Sequence, residues 1–164
     1  MNEVVHPIEP VYDKNSKILI LGSFPSVKSR EQGFFYGHPQ NRFWRVLAGV
    51  FQTETPITIE DKKRFLIENG VALWDVIHSC EIVGSSDSSI KNAVPNDIKG
   101  ILNESNIQFV FTNGKTADKL YKQYIEPETK LSAVCLPSTS PANAAWSLEM
   151  LIDRWSKEVK GVIL

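Results

Sequence analysis

Four short aliphatic runs, spread along the chain and separated by amphipathic segments, constrain the fold more than any other feature of the sequence. The runs lie at residues 17–21, 71–77, 107–112 and 132–136, and each ends in polar or turn-forming residues. Helical spacing of apolar residues occurs at 43–50, 97–104, 117–124 and 148–159. Because roughly 20 or more residues separate successive runs, parallel pairing through helical crossovers is favoured over hairpins.

This pattern predicts a three-layer α/β domain, in which a central, mostly parallel sheet of about four strands lies between helices. Residues 1–164 are expected to form one domain, because a chain of this length supports one substantial core. Ligands of such domains bind beyond the carboxyl ends of the strands, so the site is expected among residues 22–41, 75–89, 113–116 and 137–143. Within these segments, the Gly-Ser-Ser-Asp-Ser-Ser sequence of residues 84–89 indicates a mobile surface loop.

Charge and composition exclude several classes of function. The 18 Lys and Arg residues nearly balance 19 Asp and Glu residues, so an anionic partner must be held by a local patch. No apolar run approaches the roughly 18 residues of a membrane span, and residues 1–10 do not resemble a signal peptide, so a cytoplasmic location is expected. The two cysteines are too few for a zinc ribbon or an iron–sulfur cluster. We expect reduced core thiols, and no metal or cofactor.

The segment 34–44, Phe-Phe-Tyr-Gly-His-Pro-Gln-Asn-Arg-Phe-Trp, places three consecutive aromatic side chains in a loop. Loops are normally polar, so these rings indicate either a flat partner such as a nucleobase or a small apolar cluster beneath the loop. Asn41 precedes an amphipathic segment and is suited to capping a helix. Its amide could also orient a water molecule, which is sufficient for a reaction with an oxocarbenium-like transition state.

A second polar segment, residues 137–143, lies between the fourth predicted strand and the last predicted helix. Its sequence, Pro-Ser-Thr-Ser-Pro-Ala-Asn, combines hydroxyl groups with a helix N-terminus and can bind phosphate, although an ordinary helix-capping loop has the same residues. The basic residues near the predicted site are Lys28, Arg30, Arg42, Arg45 and Lys115. Each of them, taken singly, is expected to be a solvated surface residue.

Three motifs, in this order, resemble the signature of the uracil-DNA glycosylase superfamily. They are Gly22-Ser-Phe-Pro-Ser26, His38-Pro-Gln-Asn-Arg-Phe-Trp44 and Pro137-Ser-Thr-Ser-Pro141. The chain is most similar to the hypoxanthine (deoxyinosine) DNA glycosylase branch and also resembles the mismatch-specific uracil/thymine branch. The resemblance extends from Lys17 to Trp155 and implies the same α/β fold.

The resemblance implies a role for each motif. Asn41 would be the catalytic residue that orients the attacking water, and Tyr36 would stack on the flipped base. The base pocket would be formed by Gly22, Ser23, Phe24, Tyr36, Asp75 and Asn113. DNA phosphates would be bound by Ser26, His38, Ser138, Thr139 and Ser140. For Asn113, capping of a turn is an open alternative.

The sequence departs from this family in ways that bear on the reaction. Phe24 stands where the mismatch-specific branch has a water-positioning Asn and the uracil-specific enzymes have an Asp, so the resemblance transfers that duty to Asn41. Leu136 stands where relatives have a His or Asn that assists the departing base. Asp75 aligns approximately with the Asn that reads the edge of uracil. A carboxylate there would accept the N1–H of hypoxanthine but face the acceptor oxygens of uracil, unless Asp75 merely caps the next turn.

These observations predict a monomeric, monofunctional DNA glycosylase that flips out a deaminated base, hypoxanthine above all, and leaves an abasic site. No lysine matches a Schiff-base position of the superfamily, so water is expected to attack C1′. The alternatives are a uracil or mismatch glycosylase and a non-catalytic nucleic-acid-binding module, which Phe24 and Leu136 would suit. A serine hydrolase is disfavoured, because the chain lacks a Gly-x-Ser-x-Gly turn and His38 is the only histidine expected near the site.

Overall fold

The chain is described over residues 3–163 by a computed structural model. The strands are β1 (Glu3–Val5), β2 (Ile18–Gly22), β3 (Val71–Asp75), β4 (Ile77–Glu81), β5 (Lys91–Pro95), β6 (Phe109–Asn113) and β7 (Ala133–Leu136). The α-helices are α1 (Val27–Gln32), α2 (Phe43–Phe51), α3 (Ile59–Glu68), α4 (Ile98–Asn103), α5 (Lys115–Tyr124), α6 (Glu126–Thr129) and α7 (Leu148–Ile163). A short 3-10 helix covers Asp87–Ser89.

The predicted parallel sheet is confirmed. Four strands lie in the order β3-β2-β6-β7, and every neighbouring pair is parallel. Strand β2 lies inside this sheet, and all five of its residues are buried. Burial of each aliphatic side chain in β2 stabilises the fold by roughly 2 kcal/mol, so this strand anchors the domain.

The two faces of the sheet are covered by different elements, as the three-layer prediction requires. Successive side chains of a strand point to opposite faces. Ile18 and Ile20 belong to a cluster with apolar residues of α2, α3 and α7. Leu19 and Leu21 belong to a second cluster, which includes residues of α4, α5 and β4. The sheet therefore has a core on each side.

A second sheet was not predicted. It is antiparallel, with the order β1-β4-β5, and it contributes to the second core. The predicted single strand 71–77 is in fact two strands, since β3 ends at Asp75 and β4 begins at Ile77. The side-chain amide of Asn96 donates to the carbonyl oxygens of both residues, at 2.9 and 3.1 Å, and holds the chain where it changes sheets. Part of the segment 75–89, which was expected to surround the site, is therefore strand.

The four predicted helices are present, with ends shifted by a few residues. Helices α1, α3 and α6 were not predicted, because α1 and α6 are short and α3 is largely polar. Helices α1 and α3 each have a side-chain cap. Ser26 Oγ accepts from the Ser29 amide at 3.2 Å, and Thr58 Oγ1 accepts from the Asp61 amide at 3.0 Å. Helix α1 ends at Gly33, whose φ of 72° lies in the left-handed region that glycine tolerates.

Two further expectations concern membranes and cysteines. Within residues 3–163, the helices include none with the length and apolar character needed to cross a membrane. Both cysteines are free thiols, and burial raises the pKa of each. Cys80 lies in the core as expected, whereas Cys135 is only partly buried.

Candidate active site

A cavity of about 410 Å³ opens where the carboxyl ends of β2, β3 and β6 meet the loop after β7. All the residues assigned to the site from the sequence line it: Gly22, Ser23, Phe24, Ser26, Tyr36, His38, Asn41, Asp75, Asn113, Ser138, Thr139 and Ser140. The other lining residues are Pro25, Ser29, Phe35, Ser85, Asp87, Pro141 and Ala142. The volume lies in the range of small-molecule pockets. Segments far apart in the chain thus form one concave site.

Gly22 is required at its position by the side chains that meet above it. It ends β2 and pairs in register with Asp75, the last residue of β3. A Cβ atom at Gly22 would collide with Asp75 Oδ1 and lie 2.9 Å from the Tyr36 hydroxyl oxygen. The missing side chain therefore lets a carboxylate and a phenol approach each other in the cavity.

Tyr36 is held by stacking and by an unusual backbone conformation. Its φ is 53°, and its ring stacks on Phe43 with the centroids 4.0 Å apart and the planes 17° from parallel. The hydroxyl oxygen is buried and has no hydrogen-bond partner among the described residues. Burial raises the pKa of this phenol strongly, and the negative charge of Asp75 raises it further. The nearby Asn113 side chain opposes the shift, although it does not reach hydrogen-bond geometry with the hydroxyl. The hydroxyl therefore keeps its proton and can donate it.

Asp75 forms a buried pair with His6, a residue that the sequence did not associate with the site. Asp75 Oδ2 lies 2.7 Å from His6 Nε2, and the two side chains are 5% and 1% exposed. His6 Nδ1 accepts from the amide of Ile8 at 3.1 Å, so in this geometry the ring proton is on Nε2 and is donated to the carboxylate. The expectation that only His38 lies near the site is wrong.

Asn41 is fixed by two donors. Its Oδ1 accepts from the amide of Phe43 and from the hydroxyl of Thr139, each at 2.9 Å. The first contact is the helix-capping role considered from the sequence, and it assigns the amide orientation, because a backbone N–H can only donate. Asn41 Nδ2 has no acceptor among the described residues and is the end of the amide left for a ligand.

Thr139 has a structural position that the sequence did not predict. It is completely buried, and its hydroxyl oxygen accepts from Asn113 Nδ2 at 3.0 Å while donating to Asn41. Its backbone amide donates to Asn113 Oδ1 at 3.1 Å. The Thr139 hydroxyl thus donates its one hydrogen to Asn41 within this network, and phosphate binding by Thr139 stays a prediction. Asn113, in turn, ties the loop after β7 to the end of β6.

Arg42 stabilises the loop that follows Thr139. The guanidinium donates to the backbone carbonyls of Ser140 at 2.9 Å, Asn143 at 3.1 Å and Trp146. Hydrogen bonds from a charged group are stronger than neutral ones, so the Arg42 side chain alone fixes the backbone of the loop between Ser140 and Trp146. Arg42 is therefore a structural residue rather than the solvated one expected from the sequence.

The segment 84–89, expected to be mobile, is attached to the cavity wall. Asp87 Oδ1 accepts from the Ser23 hydroxyl at 2.8 Å, and Ser85 Oγ accepts from the amide of Val27 at 2.9 Å. Although Asp87 is exposed as a residue, burial of its carboxyl group raises its pKa, with a further contribution from the charge of Asp75. The hydrogen bond from Ser23 opposes this shift.

The other residues assigned to phosphate lie along the rim of the cavity. Ser138 Oγ accepts from the Ser140 amide at 3.1 Å, and Ser140 Oγ accepts from the Ala142 amide at 3.2 Å. Both hydroxyl hydrogens are left to donate to a ligand. His38 Nδ1 accepts from the Gln40 amide at 3.1 Å, a contact within its own loop.

Positive charge lies beside the cavity rather than in it. Among the described residues that line the cavity, none is Lys or Arg. Lys115 and Arg154 instead line an adjacent cavity of about 610 Å³, which shares Ser138 and Ser140 with the first. An extended anion could therefore contact both the hydroxyl-rich rim and these cations.

Phe24 and Leu136, at which the sequence departs from the family it resembles, lie in different parts of the structure. Phe24 lines the cavity and is buried, with the Arg30 guanidinium carbon 5.6 Å from its ring centroid. Leu136 is completely buried in the first core. Leu136 thus has a packing role, whereas Phe24 is part of the site.

Sequence reasoning missed two residues that shape the site. His6 lies outside every motif, and the pairing of β1 with β4 helps to bring it to Asp75. Asp87 offered a weak signal, since it is the one charged residue in the polar stretch 84–89.

The fold agrees with what comparison with known proteins shows. The model of the Uracil DNA glycosylase superfamily matches residues 9–159. A Methanosarcina barkeri protein named hypoxanthine DNA glycosylase is 33% identical over 156 residues, which cover 92% of this chain and 95% of the relative. A Methanosarcina acetivorans protein of the same name is 34% identical over 142 residues, which cover 84% of this chain and 87% of the relative.

A solved structure is also similar. It is the solution NMR structure of a Methanosarcina acetivorans protein described as a candidate uracil DNA glycosylase. The TM-score is 0.80 at 30% sequence identity, and the match covers 94% of this chain and 96% of that chain. The chain belongs to the Uracil DNA glycosylase superfamily.

Proposed function

We propose that the protein is a monofunctional DNA glycosylase that removes hypoxanthine from deoxyinosine in DNA and leaves an abasic site. The two relatives named hypoxanthine DNA glycosylase support this substrate, because each aligns with more than four-fifths of the chain. The observation that carries the proposal is the carboxylate of Asp75, buried in the wall of the cavity beside the end of β2. A carboxylate accepts the N1–H of hypoxanthine, whereas the edge of adenine presents an unprotonated N1 there.

Flipping of the base brings it from the duplex into the cavity. Unstacking costs a few kcal/mol and costs least for a poorly paired base, which gives part of the selectivity. In this proposal the flanking phosphates are bound by the hydroxyl groups of Ser138 and Ser140, which line the cavity. Among the residues first assigned to phosphate, Thr139 is left out of this role because it is buried behind the rim.

Hydrolysis requires one oriented water molecule. In the proposed reaction the C1′–N9 bond breaks, its electron pair leaves with the base, and the water oxygen bonds to C1′ while a proton passes to solvent. Asn41 Nδ2 faces this step, because Oδ1 is occupied by Phe43 and Thr139. Donation from Nδ2 to one lone pair of the water leaves the other lone pair directed for attack, and an oxocarbenium-like transition state needs no strong base.

The test is strand cleavage by alkali after incubation with matched oligonucleotides that contain hypoxanthine, uracil or no lesion. The expected result is cleavage at hypoxanthine, a loss of at least about 100-fold in Asn41→Ala, and unchanged DNA affinity in that variant. Gln40→Ala is the matched control, because this neighbouring amide is exposed and does not line the cavity.

Each other outcome selects a different reading. Preference for uracil would contradict the assignment of hypoxanthine and favour a uracil or mismatch glycosylase. DNA binding without cleavage of either lesion would favour a non-catalytic nucleic-acid-binding protein. Cleavage by Asn41→Ala at the wild-type rate would remove Asn41 from the mechanism.

A further inference from the structure

The carboxylate of Asp75 has one oxygen committed to His6 and one directed toward the cavity. Oδ2 receives the Nε2 proton of His6, whose opposite nitrogen is occupied by the amide of Ile8. The imidazole is enclosed by three rings, Phe24, Phe35 and Trp74, with centroids 5.8 to 6.2 Å away. His6 can therefore neither rotate freely nor exchange its donor for an acceptor. Asp75 Oδ1, above Gly22, is left as the acceptor.

The Tyr36 hydroxyl is the second polar group at this point. A Cβ atom on Gly22 would meet both the hydroxyl oxygen and Asp75 Oδ1, so these atoms converge on the same place. The hydroxyl is buried and has no partner in the described part of the chain. An unpaired buried hydroxyl costs free energy, so a ligand group that reaches it gains a hydrogen bond.

The two groups together match one edge of the proposed base. Hypoxanthine presents an N1–H donor beside a C6=O acceptor, whereas adenine presents an N1 acceptor beside an N6 amino donor. An acceptor-only carboxylate oxygen suits the N1–H, and a protonated phenol suits O6. With adenine, the Asp75 oxygen would face the lone pair of N1.

We propose, on the basis of the proposed function, that His6 is a positioning residue that holds Asp75 as a hydrogen-bond acceptor. Asp75 then accepts from the N1–H of hypoxanthine, and the Tyr36 hydroxyl donates to its C6=O. His6 does not touch the base. It determines which atom of residue 75 does so, and it thereby sets the selectivity against adenine, the base from which hypoxanthine arises by deamination.

The test uses a second substitution to reverse the effect of a first. In Asp75→Asn, the proton of His6 keeps the amide oxygen on its side, so the amide nitrogen faces the cavity and opposes the N1–H. Single-turnover excision of hypoxanthine is expected to fall about 100-fold. In the double variant His6→Phe/Asp75→Asn, the amide can turn its oxygen to the base. Excision is then expected to recover about 10-fold relative to Asp75→Asn.

Phe is chosen for position 6 because it keeps a ring among the three surrounding rings. His78→Phe is the matched control, since His78 is an exposed histidine on β4 and does not line the cavity. Thermal melting of every variant shows whether it is folded. A folded double variant that excises no faster than Asp75→Asn would overturn the inference, because a purely structural role for His6 predicts additive losses.

Tyr36→Phe gives an independent result, even if the His6 variants do not fold. It removes a hydroxyl that has no partner, so the melting temperature should not fall. Its kcat/KM for hypoxanthine is expected to fall about 10-fold. An unchanged kcat/KM would overturn the inference that the Tyr36 hydroxyl and Asp75 together recognise this edge of the base.

Wild-type excision separates this inference from the function on which it rests. If the wild-type protein does not excise hypoxanthine, the proposed function is wrong. If it does so and neither the rescue nor the Tyr36 effect is observed, only the inference is overturned.

Discussion

Substitution of Thr139 by valine tests whether this residue positions the side-chain amide of Asn41 or binds DNA. Valine keeps the shape of threonine and removes the hydroxyl that joins Asn113 to Asn41. Each of the two lost hydrogen bonds contributes about 1 kcal/mol, so unfolding should become easier by about 2 kcal/mol. For a domain of this size that lowers the melting temperature by about 4–8 °C.

The effect on activity follows from the loss of one of the two donors to Asn41 Oδ1. With only the Phe43 amide remaining, the side chain of Asn41 can rotate, and its Nδ2 no longer has one position. We expect the single-turnover rate to fall about 10- to 100-fold, since small misplacements of a catalytic group have effects of this size. DNA affinity should be unchanged, because Thr139 is buried.

The assay combines single-turnover excision at saturating enzyme with binding of the same oligonucleotide by fluorescence anisotropy. Thr53→Val is the control, because Thr53 is exposed and lies outside the cavity. A wild-type rate with weakened DNA binding would refute the argument and restore the phosphate-binding role that the sequence indicated for Thr139.

Two further predictions concern the cavity wall. Gly22→Ala should lower excision at least tenfold and destabilise the fold by about 1–3 kcal/mol, because the new methyl group meets Asp75 and Tyr36; normal kinetics and melting would contradict this. Burial raises the pKa of Asp87 above its ordinary value of 3.8, so ionisation of this carboxyl opposes folding. The free energy of unfolding therefore falls as the pH rises from the ordinary pKa through the raised one. Asp87→Asn removes the ionisation and should regain this stability. The melting temperature of Asp87→Asn should be above that of wild type at about pH 7 and equal to it at about pH 3, and identical melting temperatures at both pH values would refute the argument.

The central sheet could be predicted because its signal is local. Strand β2 consists of consecutive aliphatic residues, and this composition indicates a strand buried on both faces. The change of sheet between Asp75 and Ile77 has no such signal. The residues on both sides of Val76 are buried, so the sequence has the pattern of one apolar run. In the structure, however, β3 pairs with β2, whereas β4 pairs with β5 and β1.

The membership of the site was predictable for a related reason. Its residues follow the carboxyl ends of parallel strands or lie in three dense motifs, and topology brings such segments together. The direction of each side chain was not predictable. Thr139 and Ser138 are neighbours in one hydroxyl-rich motif, yet Thr139 points inward to Asn41 and Ser138 lies at the rim.

The sequence by itself therefore determined the α/β architecture, the family and most of the residues around the cavity, because these depend on composition and order along the chain. Only the tertiary structure decided which atoms of those residues face a ligand. His6 and Asp75 are distant in sequence, and their contact exists because two separate sheets meet there. A hydrogen bond assigns donor and acceptor roles only when both partners are in place, and that placement is a property of the folded chain.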